Sequence, residues 1–441
     1  MPPEEIVRRA SYGRNSPAVR ERGARTRQQI LDETLRLFAE KGYYDTLSDD
    51  IADRVGIARA TLYQYFDGKE AIFRELMEEC ATVLTRLVRR LGVLGQTEQG
   101  FDNLHWWLGE WSWVYGRYAT VFTQWTQVGQ ASALSESVGG FVDAYSARIA
   151  GRLVECGVSG IDPAGTAAMV TIVVNRVQFH RVNGMLDPLT EEQVVDALAV
   201  ALQLLLFPGT SSDILNSIVT DPLPTLSPTE PATVDRSVQS DRFAALGPRA
   251  RATAERLLDA ACEVFAERSY HLGTIDEVVT RAGTARGTFY KYFKDKPDLL
   301  TAVLERAYRE VPVAREGWGE EPFPGADLRD RLTAMLGSFL PWHRRYAGAL
   351  RVGFERLDSE ESIHTVGLAI SVRVTWAFEM VLAEVHRDYP FAPRVAAVIM
   401  FAIAGRGLDS SPTTVLHRTR EEAEALDFVV TLLARGLFAA R

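Results

Sequence analysis

Cysteine is scarce in this chain of 441 residues, which contains only Cys80, Cys156 and Cys262. The three residues lie far apart, and none belongs to a CxxC pair or to a Cys/His pattern with the spacing of zinc ligands. This scarcity argues against a disulfide framework and against a metal site, and it fits a reducing cytosol. We expect each cysteine to be a small buried apolar residue.

Long apolar runs are also missing from the sequence. The longest that stands out, near Ala197 to Phe207, is interrupted by Gln203 and is too short to span a bilayer. The first 27 residues hold seven Arg and three Glu and lack the apolar core of a signal peptide. The sequence therefore predicts a soluble, cytoplasmic protein without a membrane partner.

Catalytic motifs are absent as well. The sequence has no P-loop, no GxGxxG after a strand, no HExxH and no GxSxG, and its seven histidines are scattered. Alternating runs flanked by hairpin turns are not found either, which argues against strands. We therefore expect an all-α protein that is not an enzyme and has neither a cofactor nor a catalytic residue.

Charge and composition exclude further classes of protein. The formal net charge of −9 excludes a generically basic nucleic-acid coat, although a local basic patch remains possible. A hydrophobic content of 46% with 24% charged residues excludes wholesale disorder. At about 150 residues per domain, the length predicts two to three domains.

An internal repeat decides the architecture. Residues 26–73 align without a gap onto residues 253–300 at a constant offset of 227, and 17 of the 48 positions are identical. Further along, Arg117-Tyr118-Ala119 recurs as Arg345-Tyr346-Ala347. Each copy also ends in a long apolar helix, so the whole unit is duplicated. Between the copies, residues 208–247 collect prolines at 208, 222, 224, 228 and 231, which indicates a linker. Within it, the apolar stretch Ile214 to Val219 is a candidate for local docking.

Each copy begins with a long helix, two short helices and another long helix. Gly56 and Gly283 lie between the short helices, where glycine allows the tight turn of a helix-turn-helix. The second short helix is expected over 58–66 and over 285–293. In the first copy, its spacing places Leu62 and Phe66 inward and leaves the polar residues on the outer and flanking faces. Such side chains can contact base edges or phosphates.

These residues resemble the TetR family of bacterial transcriptional regulators. The resemblance rests on DDIADRVGIARATLYQYFDGKE in the first copy and DEVVTRAGTARGTFYKYFKDKP in the second, after helices ending FAEKGY and FAERSY. It implies contacts to double-stranded operator DNA from Arg59, Thr61, Tyr63, Gln64, Tyr65 and Lys69, and from Arg286, Thr288, Tyr290, Lys291, Tyr292 and Lys296. The alternatives are core capping by the tyrosines, above all Tyr65 and Tyr292, and solvated surface charges for the arginines.

Both copies depart from the family pattern. Ala58 and Ala285 stand where the family often has a capping Ser. Thr274 and Glu277 predict a capping box in the second copy, whereas the first copy requires a rearranged cap, placed here on Thr46.

Local charge separates the copies. Residues 42–73 carry a net −3 and residues 269–300 a net +1, which favours the second copy as the better DNA binder. The arginine-rich start of the chain could compensate by lying in a minor groove, or it could be only a tail.

The resemblance and the repeat together predict six segments. They are an arginine-rich arm (1–24), a first helix-turn-helix domain (25–73), a first helical ligand-binding domain (74–207), a linker (208–247), a second helix-turn-helix domain (248–300) and a second helical ligand-binding domain (301–441). We call residues 25–207 the first unit and residues 248–441 the second unit.

Aromatic residues are dense around 101–125, which predicts a buried helix. Most of these residues are expected in the core, and some could line a ligand cavity. The candidate ligand-binding residues are Trp107, Trp111, Phe122, Trp125, Phe141, Asn175, Arg176 and Gln178. The expected effector is a small apolar compound such as a lipid, a steroid-like molecule or an acyl compound.

Family members usually dimerise through their last two helices, and this chain has both pairs. The resemblance therefore implies an intramolecular pseudo-dimer. The alternatives are two units that do not touch, or a homodimer with four DNA-binding domains. Two functions follow as hypotheses: a ligand-responsive repressor, or a ligand-sequestering or partner-binding protein whose DNA-binding domains have decayed.

Overall fold

The computed structural model describes residues 21–43, 45–125, 133–217, 241–312, 328–353, 361–385, 392–407 and 422–438. Within these ranges the chain forms helices and no strand, so the predicted all-α fold is confirmed. The first 20 residues of the predicted arginine-rich arm lie outside the described residues, and its last four, 21–24, are part of the first helix of the first unit.

The first unit consists of eight helices in the described residues. They are α1 (Glu21–Lys41), α2 (Ser48–Val55), α3 (Arg59–Tyr65), α4 (Lys69–Arg90), α5 (Glu98–Trp125), α6 (Ala133–Glu155), α7 (Pro163–Val182) and α8 (Glu191–Leu206).

The second unit repeats this order. Its helices are α10 (Pro248–Arg268), α11 (Ile275–Arg281), α12 (Arg286–Phe289), α13 (Lys296–Arg309), α14 (Leu328–Gly353), α15 (Glu361–Val385), α16 (Pro393–Gly407) and α17 (Glu422–Gly436). Each of these helices corresponds to one helix of the first unit, from α1 and α10 to α8 and α17. The duplication therefore extends over both units.

Both ends of the linker pack on the units they join. A short helix, α9 (Ser212–Asn216), lies against α5 with Leu215 buried. This is the local docking predicted from the apolar stretch. Residues 218–240 lie outside the described residues. At the other end, the ring of Phe243 lies 5.9 Å from that of Phe293, and Arg242 pairs with Asp298 and Glu305. The segment 241–247 is therefore attached to the second unit.

The two units meet through their last helices. The helices α7 and α8 pack against α16 and α17, and α8 is buried along almost its whole circumference. A helix that is apolar all round requires neighbours on every side. The guanidinium of Arg435 donates to the carbonyls of Leu205, at 2.9 Å, and Leu206, at 3.2 Å. These carbonyls belong to the last turn of α8, where no intrahelical donor is available.

Polar contacts extend the boundary between the units. His180 on α7 and Ser371 on α15 are joined by a buried 2.8 Å hydrogen bond in which the hydroxyl donates to Nε2, because Nδ1 of the neutral ring donates to the Arg176 carbonyl. Arg394 donates to the Asp187 carbonyl at 2.9 Å. The two units therefore share one continuous apolar core.

One long apolar helix was not identified from the sequence. The segment Ser362–Leu382 of α15 is long and apolar enough to cross a membrane by length and composition, and most of it is buried inside the protein. It packs against α13, α14 and α16, which is the behaviour of a core helix. The cysteines are as expected in part: Cys80 and Cys262 are buried, whereas Cys156 is only half-buried.

Candidate nucleic-acid interface

The two helix-turn-helix motifs turn at equivalent glycines. Gly56 ends α2 with φ 75° and ψ 34°, and Gly283 follows α11 with φ 62°. A left-handed residue at this point reverses the chain between two short helices, and glycine adopts it without a Cβ penalty. The sequence interpretation of both turns is thus reproduced in the backbone.

The caps of the second helices differ between the units. In the second unit the Thr274 hydroxyl accepts from the Glu277 amide and the Glu277 carboxylate accepts from the Thr274 amide, as predicted. In the first unit Leu47 is the N-cap, and the Asp50 carboxylate accepts from its amide at 2.8 Å. The cap expected on Thr46 was wrong, because its buried hydroxyl donates to the Gly42 carbonyl instead.

The recognition helices, α3 and α12, bury the two residues that the spacing placed inward in the first copy and their equivalents in the second. Leu62, Phe66, Phe289 and Phe293 are all buried. The helices differ in length: α3 has seven residues, whereas α12 has four and ends at Phe289, short of the predicted 293. Gly287 replaces Ala60 in α12, and glycine weakens a helix interior by about 1 kcal/mol relative to alanine.

The same two positions of each recognition helix are exposed, one with the same residue in both units and one with different residues. Tyr63 and Tyr290 occupy equivalent positions and expose 41% and 51% of their surface. Gln64 and Lys291 are exposed at the next position. These four side chains are accessible to a DNA groove, and their contacts to DNA stay a prediction.

The arginine of each recognition helix is held by an acid. Arg59 donates to Asp49 at 3.0 Å, and Arg286 donates to Asp276 at 3.0 Å. The two pairs lie at the offset of 227, on exposed surface between the two helices of each motif. Such a pair contributes little to stability, so it can exchange its carboxylate for a phosphate.

The lysines after the recognition helices have an intramolecular role that the sequence did not reveal. The Lys69 ammonium donates to the carbonyls of Tyr43 and Thr46, both at 2.8 Å. The Lys296 ammonium donates to the carbonyls of Tyr270, at 3.1 Å, and Gly273, at 3.2 Å. Burial lowers the pKa of both lysines. Each lysine therefore closes the loop between the first two helices of its motif.

The remaining predicted DNA contacts are half-buried. Thr61 and Thr288 are partly covered, and Tyr65 and Tyr292 pack against the core. The packing of these tyrosines favours the alternative in which they cap the small domain's core.

A junction between the DNA-binding domain and the long central helix is also repeated. Arg117 on α5 lies 3.7 Å from Asp32 on α1, and Arg345 on α14 lies 2.6 Å from Asp259 on α10. The sequence signal was the recurring Arg-Tyr-Ala, whose partner acids lie about 85 residues upstream. These pairs link equivalent helices in the two units.

The junction of the second unit is the tighter one. A Cβ at Gly348 would lie 2.4 Å from the Phe265 backbone carbon, so α10 and α14 cross at backbone contact. The equivalent residue in the first unit is Thr120. Arg306 adds ion pairs to Asp259 and Glu255, each at 2.9 Å.

The aromatic candidates for ligand binding lie inside the first unit. Trp107, Trp111 and Phe122 are fully buried, and the Trp111 indole donates to the Tyr145 hydroxyl at 2.7 Å. Phe141 is half-buried beside Tyr145, whereas only the backbone of Trp125 is described.

The polar candidates on α7 do not converge with them on one site. Arg176 lies over the ring of Phe401 of the second unit, 5.6 Å away. Gln178 is buried and its side-chain oxygen accepts from Ser112 and Arg181. Asn175 is half-buried. The structure thus places Arg176 at the boundary between the units and Gln178 against α5 of the first unit, and ligand contact remains a prediction for the polar and the aromatic residues.

Comparison with known proteins identifies the motifs. The family of bacterial regulatory proteins named tetR matches residues 30–76 and again residues 257–303. A segment of 54 residues is 44% identical to the biofilm operon icaADBC HTH-type negative transcriptional regulator IcaR of Staphylococcus epidermidis, covering 12% of this chain and 29% of that protein. The Staphylococcus aureus (strain Newman) protein of the same name is 32% identical over 101 residues, or 22% of this chain and 52% of its own. The chain spans about half the length, or less, of these relatives.

Two solved structures are similar at low identity. A TetR-like transcriptional regulator from Rhodococcus sp. RHA1 is 21% identical, with a TM-score of 0.33 over 43% of this chain and 97% of that chain. A TetR/AcrR-family regulator from Thermobifida fusca YX-ER1 is 24% identical, with a TM-score of 0.32 over 40% and 96%.

The resemblance drawn from the sequence is therefore confirmed in both halves of the chain. Each unit therefore begins with a DNA-binding domain of the TetR family, repeated in tandem along the chain.

Proposed function

We propose that this protein is a cytoplasmic transcriptional repressor that binds operator DNA with the recognition helices of both units. The observation that carries the proposal is the pair of helix-turn-helix motifs, each presenting a tyrosine and a polar neighbour to solvent. Such residues can contact phosphates and base edges in a major groove. The relatives named above as negative transcriptional regulators support repression.

We infer further that one chain acts as a pseudo-dimer. Support comes from the packing of α7 and α8 against α16 and α17, which occupies the helices that family members use for dimerisation. A single chain then presents two different helices, with Gln64 in one and Lys291 in the other. Glutamine can pair with adenine, whereas lysine favours guanine or phosphate, so the two half-sites differ in sequence.

Two measurements test this arrangement on the full chain. Light scattering is expected to give a mass near 49.0 kDa, and nuclease footprinting on DNA flanking the gene to protect one asymmetric region. A stable particle of twice that mass on a perfectly palindromic site would show that identical domains from two chains meet across the axis.

The proposed signal is a small apolar effector such as a lipid, a steroid-like molecule or an acyl compound, bound in the first unit. The support is the buried cluster of Trp111, Tyr115 and Phe122, whose rings lie between 4.9 and 6.5 Å apart. An effector that binds one arrangement of the two units better shifts the protein away from DNA. Thermal unfolding with an acyl compound at about 100 times its Kd should show about 2.7 kcal/mol of stabilisation.

A second candidate is a ligand-sequestering protein whose DNA-binding domains have decayed. The observation that favours it is the Asp49–Arg59 pair together with the net −3 of residues 42–73. A gel shift at increasing salt separates the candidates. Specific, salt-dependent binding supports the repressor, and its absence at low salt supports the alternative.

A further inference from the structure

We propose that the two units share the work of DNA binding unequally, with the second unit as the electrostatic anchor and the first unit as the weaker reader. This inference rests on the proposed function, because it assigns the source of affinity within a DNA-binding protein. Its partner is the phosphate backbone of duplex DNA, which is recognised by free cations independently of sequence.

The charge difference lies at equivalent exposed positions. Where the first unit has Gln64 and Asp67, the second unit has Lys291 and Lys294, and all four residues are exposed. Position 67 carries −1 and its counterpart +1, and the Gln-to-Lys difference adds one more. The edge of the recognition helix in the second unit is therefore more positive by three charges.

These lysines have no acidic partner in the described residues, unlike the arginines nearby. None of the carboxylates in the described part of the chain pairs with the ammonium of Lys291 or Lys294. By contrast, Arg59 and Arg286 are each held by an aspartate, and Lys296 is bonded to carbonyls. In the described residues of the first unit, the two positions equivalent to these lysines hold no cation.

The second domain is also mounted more firmly on its core. Its α10 crosses α14 at Gly348 in backbone contact, and Arg345 pairs with Asp259 at 2.6 Å. A domain that is already ordered loses less freedom on binding, so its phosphate contacts yield more net affinity.

The expected effect follows from counterion release. Each neutralised phosphate contributes about 0.9 to the slope of log affinity against log salt, which is about 3.5-fold for a fourfold rise in salt. Two lysine contacts therefore contribute about 12-fold between about 50 and about 200 mM salt. Removing them should make the slope shallower by about two.

The experiment compares two double variants of the full chain on a mixed-sequence duplex of about 30 base pairs, chosen because phosphate contacts need no operator. Lys291→Gln/Lys294→Gln removes two charges from the proposed anchor. Arg89→Gln/Arg148→Gln removes two exposed charges from α4 and α6 and is the matched control. Affinity is measured by fluorescence anisotropy over a series of salt concentrations.

The anchor predicts a slope shallower by about two for the lysine variant and an unchanged slope for the control. Equal slopes in the two variants, with wild-type protein still binding in a salt-dependent manner, would overturn the anchor and leave the repressor standing. Wild-type protein that binds no duplex at low salt would overturn both. The converse variant, Gln64→Lys/Asp67→Lys, adds the same charges to the first unit and should make the slope of log affinity against log salt steeper. An unchanged slope would also contradict the inference, because these positions would then not face phosphates.

Discussion

Substituting Ser269 by glycine should stabilise the second DNA-binding domain. Ser269 follows α10 with φ 64° and ψ 160°, and it is the only non-glycine residue with positive φ in the described ranges. This backbone region is essentially restricted to glycine, because a Cβ is crowded there. At the equivalent position, 227 residues earlier, the first unit has Gly42 with φ 79°. The second unit therefore carries strain that the first avoids.

The size of the effect is the difference of two terms. A residue held in such a region costs about 1–3 kcal/mol. Glycine offsets part of the gain, because its greater freedom in the unfolded chain costs about 0.5–1 kcal/mol. The midpoints of the two ranges differ by about 1.2 kcal/mol, so Ser269→Gly should raise the free energy of unfolding of this domain by about 1 kcal/mol. The reciprocal variant, Gly42→Ser, should lower that of the first domain by a similar amount, because the same two terms enter with the opposite sign.

Native-state hydrogen exchange on the full chain measures both domains at once. Stabilisation by about 1.4 kcal/mol slows the exchange of amides that open with the domain by about tenfold. Slower exchange is expected in α10 for Ser269→Gly and faster exchange in α1 for Gly42→Ser. If Ser269→Gly left exchange in α10 unchanged or accelerated it, the strain at this position would not exist.

Three further outcomes are expected. Gly436→Ala should destabilise the boundary between the units by about 1–3 kcal/mol in chemical denaturation, because the new Cβ would lie 2.9 Å from the Cβ of Leu205. Its control, Gly109→Ala, lies in open space on α5 and should stabilise the protein by about 0.5–1 kcal/mol. Equal effects of the two variants would contradict the close contact. Burial lowers the pKa of His180 to about 3, so between about pH 6.5 and 3 the unfolded chain binds a proton that the folded chain excludes. The free energy of unfolding should therefore fall as the pH drops through this range, and it should fall less steeply in His180→Gln. The same slope in both proteins would argue against a buried neutral imidazole. Backbone amides of α1 should exchange faster than those of α10. Arg345→Gln should accelerate exchange by several-fold in α10 only, because it removes the ion pair with Asp259. Unchanged exchange in α10 of this variant would show that the ion pair does not stabilise the junction.

The fold could be predicted from the sequence where the information is local or repeated. The turns at Gly56 and Gly283 and the box formed by Thr274 and Glu277 depend on residues a few positions apart. The second unit was visible because its residues recur at one fixed offset.

Interactions between distant residues were not predictable in the same way. Lys69 bonds carbonyls 23 and 26 residues upstream, so its sequence neighbours gave no indication that its charge turns inward. The length of α12 was overestimated because alignment to α3 conceals the effect of one glycine. The polar residues on α7 were grouped by their helix, although Arg176 and Gln178 face different neighbours.

The contact between Gly436 and Leu205 has a consequence for the origin of the chain. The helices α8 and α17 correspond to each other at an offset of 231, so these two residues are equivalents that touch. In an assembly of identical subunits, a position beside the twofold axis meets its own copy, and leucine would face leucine while glycine would face glycine. Here a large residue and a missing side chain fit together, which identical subunits cannot achieve. Each unit has therefore become fitted to its neighbour, and we expect separated units to pair with each other in preference to themselves.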